Sequence, residues 1–261
     1  MKAKLNYNLK QLNEKAWFSI HKQGAYTEYP SSDAIGFFKN INNKKRVKVL
    51  ELGCASGNMQ IFFRKEGFNS YGVDLSKDAI NFAKLLLNNN NLSSKNLFCQ
   101  DMTNLDNFKN NFFDIIFDYN SISCLPLYLI EKTFDEIKLK MKIFKNYNKI
   151  KCLADYYKTI NNPNNPTGGG GGILITNLYS KKTKVKNSRM INENTLFVKS
   201  TGKTKNYVMT LFNFNEAKNL LNNVGLKIIH HEKHSMEIPN NNFSFEKYTF
   251  YCILSEAIPQ S

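Results

Sequence analysis

From residue 47 onward, short apolar runs alternate with longer stretches whose apolar residues recur at helical spacing. Val47 to Leu52 is the first run, and Ser70 to Val73, Asn96 to Gln100, Phe113 to Tyr119 and Ile173 to Asn177 follow it as strands two to five. Between them, Asn58 to Glu66, Lys77 to Asn88 with Ser76 as its N-cap, and Leu127 to about Lys145 read as helices. In the last of these, Ile130, Phe134, Ile137 and Met141 mark the buried face. This alternation is the signature of parallel βαβ units. Before it, residues 1–45 read as one or two helices with Trp17, Phe18, Ile20, Ile35, Phe37 and Phe38 as apolar positions, a segment placed to roof the sheet. After it, Thr195 to Ser200 and Asn206 to Phe212 form a hairpin, turned by Thr201-Gly-Lys-Thr. Asn215 to Val224 is a helix closed by Gly225, and Leu226 to His230 and Tyr248 to Leu254 are two final strands.

One stretch breaks the rhythm. Lys142 to Thr167, continued by the glycines 168–172, contains Asn161-Asn-Pro-Asn-Asn-Pro-Thr. So polar and Pro/Gly-rich a tract is expected to add little core and to form a flexible surface insertion over 142–172.

The chemistry gathers where the first three strands end. Gly53, Cys54, Ala55, Ser56 and Gly57 let backbone approach a ligand at the carboxyl end of strand one, ahead of a helix. The spacing is not the Gly-x-Gly-x-x-Gly of a dinucleotide site, and no phosphate-binding Lys follows, so a nucleoside without phosphates fits better. Asp74, at the end of strand two and followed by Leu75, is a carboxylate able to accept two hydrogen bonds from ribose hydroxyls. Asp101 and Met102, after strand three, supply an acceptor and an apolar thioether for the edge and face of a base.

Taken in this order, Glu51-Leu-Gly-Cys-Ala-Ser-Gly57, Asp74, Asp101-Met102 and Phe113-Asp-Ile-Ile-Phe-Asp118 resemble the successive motifs of class I S-adenosylmethionine-dependent methyltransferases. The resemblance implies a doubly wound, Rossmann-like α/β domain over residues 1–261, its seven-stranded, mostly parallel sheet covered by helices on both faces. It implies S-adenosyl-L-methionine as cofactor: Gly53 and Gly57 line the methionine part, with Cys54 and Ala55 between them. Asp74 and Leu75 hold the ribose side, Asp101 and Met102 contact adenine, and Glu51 orders the loop from below. Ala55 departs from the family, which often has glycine there. Trp17, Gly24-Ala-Tyr-Thr-Glu-Tyr-Pro-Ser31 and the stretch from Asn194 to Phe212 further resemble a widespread, mostly uncharacterised branch of small methyltransferases. More loosely, the hairpin over 194–212 is similar to one in some methyltransferases that modify transfer RNA. It can wall an acceptor pocket.

Methyl transfer from a sulfonium is an in-line displacement, for which alignment alone can supply roughly 7–11 kcal/mol. No nucleophilic triad is required, although a hydroxyl or ammonium acceptor must lose a proton. Asp118, Tyr119, Asn120 and Ser121 leave the fourth strand beside the expected methyl position, with Asp118 facing either the acceptor and cofactor or capping a turn. In the N-terminal roof, His21 is a candidate base or an ordinary surface histidine, and Tyr26 a hydrogen-bonding partner. Trp17, Tyr26 and Tyr29 either wall a cation or planar acceptor or simply pack a helix.

Charge and composition widen the choice of acceptor. The chain has 36 Lys and Arg against 21 Asp and Glu, a net charge of +15. That favours RNA as an alternative to a small-molecule acceptor. Against it, the Lys residues are scattered, and Asn makes up roughly one residue in seven throughout. A non-catalytic S-adenosylmethionine sensor is a third reading, motivated by Ala55 and the 142–172 insertion. The five cysteines are widely spaced with no Cys-x-x-Cys pair, which predicts reduced thiols in a cytoplasmic setting rather than a disulfide or zinc framework. His230, His231 and His234 lack the His-Glu-x-x-His pattern and predict no metal site. No run approaches the ~20 apolar residues of a membrane span.

Overall fold

The computed structural model describes residues 2–22, 29–143, 150–162, 172–199, 206–237 and 245–257. Helices α1 (Lys2–Lys22) and α2 (Ser32–Lys39) lead, through a short turn at Lys44–Arg46, into β1 (Lys48–Leu52). Then follow α3 (Asn58–Lys65), β2 (Asn69–Asp74), α4 (Lys77–Asn89), β3 (Leu97–Cys99) and β4 (Ile115–Tyr119). After a 3-10 turn at Ile122–Cys124 come α5 (Leu127–Lys140), α6 (Leu153–Ile160) and β5 (Ile173–Tyr179). The last third holds β6 (Lys184–Val185), β7 (Ser188–Met190), β8 (Thr195–Val198), β9 (Tyr207–Thr210), α7 (Phe214–Asn223), β10 (Leu226–Glu237) and β11 (Phe245–Ala257).

Seven strands run β3-β2-β1-β4-β5-β11-β10, and β6 attaches to β11 as a short eighth. The pairs among β1 to β5 are parallel, while β11 runs antiparallel to both its neighbours. This is the mostly parallel, doubly wound sheet that the resemblance implies. The apolar runs are nearly continuous because both faces are covered. Alternate residues go to opposite sides. Leu50, Ile116 and Leu174 join the core with Phe134, Ile137 and Leu221. Val49, Ile115 and Ile173 join the other, with Phe38, Phe63 and Tyr156.

The register aligns the strand ends. Leu52 pairs with Val73 on one side and Asp118 on the other, Asp74 with Cys99, and Asp118 with Thr176. All the loops that follow these strands therefore open on one edge of the sheet, on either side of the point where the strand order reverses.

Three expectations need correction. The insertion after α5 does contribute core: Ile150, Tyr156 and Ile160 are at most 2% exposed and pack beside Phe38. Its α6 is tied to the N-terminal segment by Tyr157, whose hydroxyl donates to Phe37 O at 3.0 Å, and by Asn161, whose Nδ2 donates to Asn40 O at 2.9 Å. Apolar residues at 150, 153, 156, 157 and 160 do have helical spacing, but the polar and Pro-rich residues around them hide it in a wider window. The glycines 168–171 lie outside the described residues. Second, α5 stops at Lys140, because Met141 turns to bridge Phe113 in the sheet. Third, the hairpin gains a strand: β7 pairs with β8, which pairs with β9, giving a separate three-stranded sheet.

Candidate functional site

The loop after β1 takes its shape from three residues with left-handed backbone: Gly53 at φ 64°, Ala55 at φ 43° and Gly57 at φ 80°. A side chain at Gly53 has no room, since a Cβ there would lie 2.2 Å from Ser121 Oγ. At Gly57 the neighbour is Ala83 of α4, whose Cβ would be 2.9 Å away, so this glycine serves helix packing rather than the cavity. Ala55 holds its unusual conformation because its amide donates to Asp74 Oδ2 at 3.0 Å, while Cys54 N donates to Val73 O at 2.9 Å. The loop is thus hydrogen-bonded to the end of β2.

Asp74 is a junction. Its other oxygen accepts from Ser76 N at 2.8 Å, and Ser76 Oγ accepts from Ala79 N to cap α4. His21 Nδ1, from α1, lies 3.9 Å from Asp74 Oδ1. Burial raises the Asp74 carboxyl above the usual carboxylate range, against the opposing effects of His21 and the two amides. Beneath the loop, Glu51 accepts from Gln60 Nε2 at 2.8 Å, and Gln60 also donates to Tyr71 O. Glu51 is 5% exposed, and desolvation pushes its carboxyl up to about 8.

On the other side of the reversal point, Asp118 is fully buried. It accepts from Ser121 N at 2.8 Å, Ile122 N at 3.0 Å and Thr176 Oγ1 at 2.7 Å, and burial still pushes its carboxyl up to about 7. These bonds fold the turn that brings Asn120, at φ 66°, to the cavity. Ser123 strengthens the same turn by accepting from Tyr179 N at 3.0 Å.

α1 lies across this edge. Asn13 is paired with β9, accepting from Val208 N at 2.7 Å and donating to Val208 O at 3.1 Å, and it also donates to Cys124 O. Lys10 reaches Asp101 at 3.2 Å, and Trp17 packs on Tyr207 with ring centres 6.3 Å apart.

Together these elements enclose a cavity of about 570 Å³. Of the sequence-derived candidates, Glu51, Gly53, Cys54, Ala55, Asp74, Leu75, Met102, Asn120 and His21 line it. His21 is only 7% exposed, so it is not a surface histidine. Gly57, Asp101 and Asp118 do not line it. Asp101 instead accepts from Thr103 N at 2.9 Å and from Lys10, while Asp118 faces the turn it caps, not an acceptor. Tyr26 lies outside the described residues. Sequence reasoning missed Ile20, Asn58, Met59, Cys124, Leu125 and Tyr179. Asn58 and Met59 open the helix after the glycine loop, a position that could have flagged them. Ile20 was read only as an apolar position of the roof, Tyr179 lies two residues past the expected end of strand five, and nothing local marks Cys124 or Leu125. On β10, His230 and His234 share Glu232 at 3.0 and 3.2 Å, and His231 stacks on Phe214. Among the described residues no group of three or more His, Cys, Asp or Glu is arranged to hold a metal, and no helix is long and apolar enough to cross a membrane.

The fold and the cavity define an α/β protein with a ligand crevice at the reversal point of a seven-stranded sheet. A methyltransferase-domain family model matches residues 49–142, which hold the glycine loop, Asp74, Met102 and Asn120. No curated protein matches the chain. Among solved structures, an S-adenosylmethionine-dependent methyltransferase from Methanosarcina mazei is 14% identical with a TM-score of 0.64, over 89% of this chain and 100% of that one. The 1,6-didemethyltoxoflavin N1-methyltransferase of Burkholderia thailandensis, solved with its substrate and S-adenosylhomocysteine, is 11% identical with a TM-score of 0.60, over 97% and 91%. Magnesium protoporphyrin IX methyltransferase of Synechocystis PCC 6803 is 11% identical with a TM-score of 0.51, over 85% and 76%. The match thus marks a methyltransferase domain over residues 49–142, and the solved structures share the fold of the whole chain.

Proposed function

We propose that the cavity takes S-adenosylmethionine at the ends of β1, β2 and β3, and that the methyl group passes to oxygen or nitrogen of a small molecule held above β4 and β5. One observation carries this reading: a single cavity joins the glycine loop, Asp74, Met102, the Asn120 turn and α1. Its volume of about 570 Å³ falls within the roughly 300–1,000 Å³ of small-ligand sites.

The residues fit such a guest. Gly53 to Ala55 offer backbone, free of long side chains, to the amino-acid part of the donor. Asp74 can exchange a loop amide for ribose hydroxyls, and Leu75 and Met102 offer apolar contact to the base. Asp101, engaged with Thr103 and Lys10, sets the turn that presents Met102. His21 and Asn120 are the polar groups on the acceptor side, with His21 able to take a proton after transfer. The neighbour of the same fold that binds 1,6-didemethyltoxoflavin beside S-adenosylhomocysteine supports a small-molecule acceptor here.

Isothermal titration with S-adenosylhomocysteine tests the donor half. Micromolar binding is expected, lost in Asp74→Ala while the far-ultraviolet spectrum is kept. A wild-type chain that does not bind, or an Asp74→Ala variant that binds equally well, would overturn it. For the acceptor half, a metabolite extract incubated with labelled donor should yield a methylated small molecule. Label appearing only in RNA would overturn that part.

A further inference from the structure

The donor reading leaves one half of the cavity unassigned, and that half has a distinct character. Its wall consists of Trp17 from α1, Cys124 at the end of the 3-10 turn and Leu125 just after it, and Tyr179 at the end of β5. Tyr29 and Tyr119 also line the cavity and are 76% and 39% exposed. Three of the four inner residues belong to, or pack against, the small apolar cluster under β8 and β9, so this surface is backed by core.

The charges present are as informative as the rings. The chain carries 36 Lys and Arg, yet among the described residues none lines this cavity. Two acids line it: Glu51, whose burial keeps its proton near neutral pH, and Asp74, which is held by the amides of Ala55 and Ser76. Lys10, the lysine that α1 sends to the neighbouring loop, is taken up by Asp101 at 3.2 Å and Glu14 at 3.6 Å. An anionic acceptor entering here would lose water beside the Asp74 carboxyl and, among the described lining residues, meet no Lys or Arg in return, a costly exchange. Aromatic faces act the other way: they stack flat rings and attract positive charge.

The same electrostatics choose between acceptor atoms. A hydroxyl must become an oxyanion before or during attack, and among the described lining residues no Lys or Arg is there to stabilise it. A neutral nitrogen needs no prior proton loss. Its lone pair forms the bond to the methyl carbon as the carbon–sulfur bond breaks, and the electron pair of that bond stays on sulfur as a neutral thioether. The positive charge thereby passes from sulfur to nitrogen, and any surplus N–H proton then leaves to His21 or to water; an amine that enters protonated gives up one N–H proton to His21 or to water before attack, which frees the lone pair. For a neutral nitrogen one positive charge is present throughout, in a cavity walled by aromatic rings.

We infer that the acceptor is a flat aromatic molecule of neutral or positive charge that receives the methyl group on nitrogen, held by the Trp17, Leu125 and Tyr179 wall. The inference rests on the donor reading above. It excludes carboxylated and phosphorylated acceptors, and with them the RNA backbone.

Calorimetry on the full chain tests it in two arms. S-adenosylhomocysteine is titrated first, and failure there defeats the donor reading. With that ligand saturating, ring-matched pairs follow: tryptamine against indole-3-acetate, and 4-aminoquinoline against quinoline-4-carboxylate. The amine of at least one pair should bind more tightly than its carboxylate by about tenfold or more, and should gain a methyl mass when S-adenosylmethionine replaces the product. Tyr119→Lys, checked by an unchanged melting curve, should shrink or reverse that preference. If the carboxylates bind as well as the amines, if neither member of any pair binds, or if Tyr119→Lys leaves the ratio unmoved, the inference is overturned.

Discussion

The amide of Ala55 donates to Asp74 Oδ2 at 3.0 Å, joining a left-handed residue of the first loop to the acid that ends the second strand. This bond closes the loop around the place where a ribose is proposed to lie. It also explains why a residue with a Cβ is tolerated at φ 43°: the hydrogen bond to a buried carboxylate offsets the steric cost of the left-handed region, about 1–2 kcal/mol.

Glycine substitutions along this loop should therefore have opposite signs. Ala55→Gly removes left-handed strain but adds unfolded-chain entropy of about 0.4–1 kcal/mol, so its melting temperature should be unchanged or slightly raised. Gly53→Ala adds a Cβ 2.2 Å from Ser121 Oγ and should lose about 2–4 kcal/mol. Thermal melts of the two variants check the pair, and a Gly53→Ala protein as stable as the wild type would contradict the geometry.

Glu51 and Asp118 make stability depend on pH. Their carboxyls are pushed up to about 8 and about 7 from ordinary values of 4.5 and 3.8. In that window the folded chain keeps protons that the unfolded chain has released, so the stabilisation is full below about pH 4 and is lost as pH rises through 7 to 8. The melting temperature should fall between pH 6 and pH 9. Glu51→Gln, which keeps an acceptor for Gln60, should flatten that fall, measured by calorimetric scans at matched ionic strength.

Asn13 fastens α1 to β9 through both its amide groups. Replacing it by Ala leaves the buried Val208 amide and carbonyl and the Cys124 carbonyl short of partners, at about 1–3 kcal/mol for a buried group so orphaned. Hydrogen exchange should accelerate in α1 and at Val208 more than in β1 or β4. Uniform acceleration across the sheet would mean that the helix is not separately held.

Ile160 tests the corrected view of the insertion. It is 1% exposed and packs in the same cluster as Phe38 and Tyr156. Ile160→Ala should cost about 2–5 kcal/mol, read from denaturant titration. A change within 0.5 kcal/mol, usual for surface sites, would return this helix to the periphery.

The parallel strands, α3, α4 and α7 were legible because each is local: an apolar run of fixed period, an N-cap such as Ser76, or a closing Gly225. α6 was not, since its five apolar positions are diluted by Asn, Lys and Pro on either side. The site divides the same way. Gly53, Asp74 and Met102 each stand at a strand end, and strand ends can be read along the chain. Cys124 and Leu125 carry no local mark, and Tyr179 was missed because the fifth strand, expected to end at Asn177, runs on to it.

The order of strand and loop was written in the periodicity, and with it the strand ends that line one side of the cavity, because a parallel sheet puts every carboxyl-end loop on one edge. What tertiary structure decided was direction. Asp118 and Asp101 occupy motif positions yet turn toward a capped turn and toward Lys10, whereas His21 turns inward to Asp74. Such choices depend on which amides and charges arrive from distant segments, and a one-dimensional pattern contains no information about which hydrogen bond a buried carboxylate will make.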